Sequence, residues 1–481
     1  MQTYIIYFFD IYGELKKMNK KKIILNLILV TVFLLTSFLF TTISTNKNFD
    51  IEEATYQRNM EKSIQNVKLS GYWDLSGTPI EIDGTATGIG AHNWTWAVSQ
   101  PWCSGIGTWN QPYLIENVTI NGYNASSCIS IVNSDVFFEI RNCYVLNSSI
   151  TGFNIYSGGI ELEYVDNGLI VQNNCSFNNG MGISLKDCNN VTILDNYLYH
   201  NGYDVNEPSP GILLIYSDNV TVSGNFINSS YYRGINLQNS DSNTIYDNLI
   251  NNTKYEDSIA VGSWCNYNNF SENNIDNTLF GNGIELGSLT TDNNLIKENF
   301  ITNSNYYGIA IIGSHTNIIE GNDVSAHPFD GIYIYNSNNN NITGNRVYNN
   351  RDGISIDDSY ENIIKGNNAT NNSDDGIFLS GSDDNIIHSN YVANNGGFGI
   401  WVTSCDNVLV KENTILNTTD MGLYIVNSNN NTAISNIIKY SHWGMEIANC
   451  DFAKIKENNI SHSTLYGIYL EMIDDASVSN N

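Results

Sequence analysis

Asp330, Asp352 and Asp375 each stand immediately before a glycine, 22 and 23 residues apart, and Arg351 and Asp374 adjoin two of them. Asp357 and Asp358 follow shortly after Asp352. Carboxylates gathered by folding either share a cation or raise one another's pKa and become acid and base. An all-oxygen group suits calcium, so Asp352, Asp357, Asp374 and Asp375 are the candidate metal ligands. Asp330, Arg351, Asp352 and Asp375 are the candidate catalytic set, for hydrolysis by paired carboxylates or for elimination. Against both stands the plain fact that Asp suits a turn before Gly.

Two residues after each glycine runs a second column: Tyr333, Ser355, Phe378, Trp401, Tyr424, Glu446 and Tyr469, with Tyr335 beside the first. Its neighbours on either side are apolar, and period-two alternation turns the column outward. Aromatic rings in a row offer flat faces to sugars. Tyr333, Tyr335, Phe378, Trp401, Tyr424 and Tyr469 are therefore the candidate glycan-binding residues. Packing under a covering loop is the competing reading.

These columns exist because the chain repeats. Gly-Ile recurs from Gly159 to Gly467, mostly every 22, 23 or 25 residues. An Asn column runs from Asn173 to Asn458, and eight residues ahead of each Asn lies a Ser, Thr or Cys, including Cys188, Cys265, Cys405 and Cys450, with Val165 ahead of Asn173 the exception. β-branched residues alternate with polar ones, and Gly, Asn, Ser and Asp punctuate them, which excludes a helical repeat. The expected fold is all-β: a right-handed, single-stranded parallel β-helix of about fourteen coils. Stacked coils bring equivalent residues about 4.8 Å apart, so the Asn side chains can form an amide ladder at a corner whose left-handed backbone Asn tolerates. The Ser-to-Asn spacing is constant while the Asn-to-Gly spacing varies, with an insertion near 201–210, so the corner before Gly is where function is expected.

The balance is acidic, 49 Asp and Glu against 21 Lys and Arg, for a net charge of −28. That repels nucleic acid and anionic membrane surfaces. Lys20, Lys21 and Lys22 precede the apolar run Ile23 to Phe40, the layout of a signal peptide or an N-terminal transmembrane anchor, with Met18 an alternative start to Met1. The expected organisation is an export segment with a hydrophobic helix over 1–45, a spacer over 46–78, a cap and first coils over 79–126, and the β-helix over 127–481, ending within a coil. The protein is then secreted or on the cell surface. Of the eight cysteines, Cys103 and Cys128 lie in the irregular N-terminal part and are a candidate disulfide; the column cysteines replace Ser.

The segment Gly105-Ile-Gly107-Thr108-Trp-Asn-Gln-Pro112-Tyr113-Leu-Ile115, followed by the Gly-Ile and Asn-x-Ile coils, resembles the NosD-like and CASH group of parallel β-helix proteins, over about residues 79–481. The group takes in carbohydrate-binding proteins and sugar hydrolases. The chain also looks like the acidic, Asn-rich surface proteins common among archaea. The NosD likeness implies copper delivery, but the seven histidines fall in different columns, and His442 with Met445 is the one close pair. Polygalacturonase-like Gly-His-Gly and Arg-Ile-Lys motifs are missing; a pectate-lyase-like cation site has candidates in the aspartates above. The leading expectation is an exported protein that binds polysaccharide or glycan along the strand after Gly. A polysaccharide lyase or glycoside hydrolase with an Asp-rich, calcium-type site is the second, and a structural or adhesive rod the third.

Overall fold

The computed structural model describes residues 72–150, 155–203, 209–287 and 290–481. The expected export segment, with its hydrophobic helix, lies outside the described residues. Among the described residues no helix is long and apolar enough to cross a membrane.

Each coil lays down three short parallel strands, one in each of three sheets. The first follows Gly, as in Ile332–Tyr335; the second follows the Ser/Cys corner, as in Asn341–Thr343; the third follows Asn, as in Arg346–Tyr348. We call these the Gly-led, middle and Asn-led sheets. Registers are regular: Ile332, Tyr333, Ile334 and Tyr335 pair with Ile354, Ser355, Ile356 and Asp357 of the next coil. The Gly-led sheet has sixteen strands. The two beyond the fourteen that follow the Gly column are Ile80–Asp83 and Ile129–Ser134, preceded by Pro79 and Cys128 instead of Gly. Trp73–Asp74 already pairs with Val118–Thr119, so the ladder begins inside the stretch read as a spacer. Trp73 and Leu75 pack on the core, which holds them there.

Inward Ile, Leu and Val from all three sheets form one continuous core. The column glycines are required by close approach: a Cβ on Gly331 would strike Val347 and one on Gly376 would strike Val392. The amide ladder is present. From Asn173 on, each Asn Nδ2 donates to the Oδ1 of the Asn one coil later, for example Asn345 to Asn367 at 3.0 Å and Asn367 to Asn390 at 3.1 Å. One detail differs from expectation. The left-handed residue is the one before the ladder Asn, such as Asp195, Glu298 or Glu412, and the Asn itself turns inward. The Ser/Cys column forms a second ladder, in which Ser382 N–H donates to Cys405 Sγ at 3.2 Å and Cys405 N–H to Ser428 Oγ at 2.9 Å.

At the N-terminal end, Cys103–Ser104 and Tyr113–Glu116 form an antiparallel pair. Gly105 and Gly107 between them take positive φ, 96° and 76°, where a side chain would be strained. The expected Cys103–Cys128 disulfide is not formed. Both thiols are free and buried, Cys103 opposite Ile115 and Cys128 with its Sγ donating to the Leu146 carbonyl at 3.4 Å. Each fills its own place in the core, and burial pushes both thiols up to about 12.

Candidate functional site

The outer face of the Gly-led sheet gathers the residues singled out by the repeat. The residue before Gly caps the coil after it. Asp352 Oδ1 accepts the Asp375 N–H at 2.8 Å, and Asp375 Oδ1 accepts the Phe398 N–H at 2.7 Å. Part of what Asp does here is therefore structural. The remaining oxygens converge. Among the described residues, one set of three carboxylates is placed to hold an ion: Asp352, Asp374 and Asp375, with donor atoms within 4.8 Å of one another. Asp374 is exposed and the other two are buried. A Cβ on Gly397 would collide with Asp374 and Asp375, so that glycine keeps the space beside them open. Asp357 is not one of the three; it lies on the next strand, half-buried, against the Tyr333 hydroxyl.

Arg351 ties the centre together. Its Nη2 is 2.8 Å from Asp330 Oδ1 and its Nε 3.3 Å from Asp352 Oδ2. Asp330 and Asp375 are nearly inaccessible, and burial raises both carboxyls to about 7; Asp352 adds to the rise in each case. Asp374 and Asp357 are raised as well, chiefly by burial. The four candidate catalytic residues thus do meet, with Arg351 bridging Asp330 and Asp352 and Asp375 bonded to Asp352 through its N–H. Such a group can donate and accept protons near neutral pH.

Aromatic rings flank this centre on both sides along the sheet. Tyr307 stacks on Tyr333 at 4.4 Å, and Tyr333 lies 6.3 Å from Tyr335. Beyond the acids, Phe378 meets Trp401 at 4.8 Å, and Phe398 meets Trp401 at 5.1 Å and Tyr424 at 5.4 Å. The row differs from expectation in exposure. Tyr335 is exposed, but Tyr333, Phe378, Trp401, Tyr424 and Tyr469 are half-buried because each packs against a neighbouring ring: Tyr333 on Tyr307, Phe378 on Trp401, Tyr424 on Phe398 and Tyr469 on Trp443. Ser355, in the same column, is buried. Tyr469 stands apart from the centre, two coils past Tyr424.

Tyr307 and Phe398 were missed in the sequence, although both occupy the position before Gly and so were findable from the column that gave the aspartates. A second polar group was also missed. Asp257 Oδ1 accepts the Asn282 N–H at 2.7 Å, Asn282 Nδ2 donates to Glu285 at 2.6 Å, and Arg233 lies 3.6 Å from Glu256. Burial and then Glu285 raise Asp257 to about 7. A cavity of about 410 Å³ adjoins the group, lined by Arg233, Gln238, Ala260, Gly262, Glu285 and Gly287. The His442–Met445 pair does not converge, since Met445 is in the core while His442 Nδ1 faces Thr464 Oγ1 at 2.7 Å.

The right-handed β-helix family model matches residues 127–295, 202–323, 265–383 and 330–481. The chain belongs to that family. The match, in overlapping windows, covers the same run of coils that builds the site. No curated protein matches the chain in sequence. Among solved structures it is similar to the mannuronan C-5 epimerase A-module of Azotobacter vinelandii, with 14% identity over 73% of this chain and 90% of that one and a TM-score of 0.33. It is similar also to a periplasmic alginate epimerase, with 15% identity, 67% and 81% coverage and a TM-score of 0.36. The enzymatically active domain of tailspike protein 2 from bacteriophage CBA120 matches with 15% identity, 54% and 42% coverage and a TM-score of 0.36. At such values these likenesses say nothing of what this β-helix does.

Proposed function

We propose that this β-helix binds a polysaccharide along the outer face of its Gly-led sheet, on the outside of the cell. The observation that carries the reading is the placement of stacked, half-exposed rings on both sides of a carboxylate–arginine centre. Rings present flat apolar faces to sugar rings while the polar groups between them take hydroxyls. The basic-then-apolar N-terminus supports export, and the Gly-x-Gly-Thr motif supports the carbohydrate-binding NosD-like and CASH branch as the subfamily. The test is retention on a panel of immobilised neutral, amino and uronate polysaccharides, comparing the full chain with Trp401→Ala. Binding that survives Trp401→Ala undiminished, or none to any polymer, sinks the reading.

A second reading, cleavage of the bound chain, is favoured by one observation: Arg351 bridges Asp330 and Asp352 beside Asp375, and burial raises Asp330 and Asp375 to about 7. A glycosidase needs a division between an acid and a base or nucleophile. Release of reducing ends, lost in Asp375→Asn but not in Trp401→Phe, supports it; no release from any polymer that binds removes it.

A further inference from the structure

The outer column of the Gly-led sheet runs on from Tyr424 to Glu446 and Tyr469, in register. Glu446 is only 7% exposed, and its Oε2 has no hydrogen-bond partner. A buried carboxylate without a donor is costly unless a cation or donor arrives to meet it. The groups acting on its titration are Glu471 and Asp420, both acidic, after burial itself. Its walls are aromatic. Tyr424 and Tyr469 stand on either side in the column, and Trp443 lies three residues ahead on the same strand. The Trp443 ring meets Tyr469 at 5.2 Å and Tyr466 at 5.0 Å, edge to face. His442 beside it is exposed and engaged with Thr464.

The rest of the face is rich in carboxyl groups. Asp257, Glu285, Asp330, Asp352 and Asp375 line it. Its two arginines are already committed, Arg233 beside Glu256 and Arg351 to Asp330 and Asp352. A uronate chain would meet carboxyl groups and two arginines already ion-paired, and like charges brought together select against a partner. A protonated amine meets the opposite situation. At Glu446 it finds an unpaired carboxylate and ring faces that attract a cation.

We propose that the polysaccharide taken by this face is an amino-sugar polymer, and that Glu446, walled by Tyr424, Trp443 and Tyr469, receives one of its protonated amines. The inference rests on the glycan reading above and names the class of sugar. An amine bound there favours the ionised form of Glu446, which burial and then Glu471 and Asp420 otherwise disfavour. Affinity therefore rises with pH while Glu446 titrates and falls where the amines lose their charge.

Calorimetry on the full chain tests this with three probes: a soluble, partly deacetylated glucosamine polymer, the fully N-acetylated oligomer, and a polyuronate with and without calcium. The deacetylated polymer is expected to bind about tenfold tighter than the acetylated oligomer. Glu446→Gln, checked for folding by circular dichroism, removes that preference. Trp443→Leu gives the same loss by a separate route and serves if the first variant fails to fold. Equal binding of the two glucosamine probes, a preference unchanged in both variants, or polyuronate as the tightest ligand in either calcium condition overturns the inference and leaves the glycan reading standing. Failure of every probe, with failure across the wider panel, takes the glycan reading with it.

Discussion

The Asn ladder and the outer column of the Gly-led sheet both stack side chains coil over coil, and they follow opposite rules. Between Asn173 and Asn458 the ladder keeps one residue type, and each amide passes a hydrogen bond to the next. Ser184, Leu213, Asn236, Ala260, Glu285, Ala310, Tyr333, Ser355, Phe378, Trp401, Tyr424, Glu446 and Tyr469 share one register outside, and the type changes at almost every step. A ladder transmits one donor–acceptor geometry, so any other residue breaks it. A recognition surface must present different groups at different heights. In a solenoid, monotony therefore marks support and variation marks contact with something else.

The sharpest way to break this comparison is to disturb the ladder. Asn345 donates to Ile319 and Asn367 and accepts from the Asn322 N–H and Nδ2, all at 2.8 to 3.0 Å. Asn345→Leu leaves buried donors and acceptors on three coils without partners, at about 1–3 kcal/mol apiece. The expected loss is roughly 3–5 kcal/mol, read as a lower denaturant midpoint. A loss under about 1 kcal/mol would mean that the ladder is ornament.

The outer face makes a different demand, visible in pH. Asp330 and Asp375 titrate near 7 when folded, above the ordinary carboxylate range. The folded chain therefore holds protons that the unfolded chain has lost between about pH 4 and 7, and stability falls as pH rises through that window. The stability these groups contribute is full below the ordinary carboxylate pKa and gone above 7. The size is up to about 4 kcal/mol per group, as an upper bound. Thermal melts across this range should slope downward, and Asp330→Asn with Asp375→Asn should flatten them. An upward slope contradicts the burial of these two carboxyls.

Most of the support was legible in the sequence, because ladders repeat and repetition survives in one dimension. Gly-Ile, Asn and Ser/Cys columns gave the fold and the register. The two coils led by Pro79 and Cys128 were not counted because they lack the glycine that marked the others. The site was legible only in part. Column arithmetic brought Asp330, Arg351, Asp352 and Asp375 together, yet it does not tell how far each ring leans on its neighbour. The row was therefore expected to be more open than it is. Asp257 was passed over although Ser258 holds the glycine's place after it, because its partners Asn282 and Glu285 come from the next coil, and Glu446 because a carboxylate among tyrosines reads as a break in the column and not as a buried member of it.

A smaller effect sharpens the functional side. Trp401 is half-buried, with its Nε1 unpaired. Trp401→Ala should weaken polysaccharide binding by about tenfold, or roughly 1.4 kcal/mol, and lower the melting temperature by only a few degrees. A collapse in stability with no separate change in affinity would assign the ring to packing.

The smallest effect lies back in the ladders. Cys405 accepts the Ser382 N–H at 3.2 Å and points its Sγ to the Thr403 carbonyl at 3.1 Å. Ser382 and Ser428 make the same contacts one coil away, each donating to a carbonyl two residues back at 2.7 and 2.6 Å. Ser is thus already the residue this corner accepts, with a shorter reach and a better donor. Cys405→Ser should change stability by less than about 1 kcal/mol, and glycan binding not at all. Burial pushes the Cys405 thiol up to about 12, so it is a poor nucleophile, and thiol reagents should label it slowly in the folded chain. Rapid labelling, or a loss of several kcal/mol on replacement by Ser, would show that this corner needs sulfur for something other than filling the ladder.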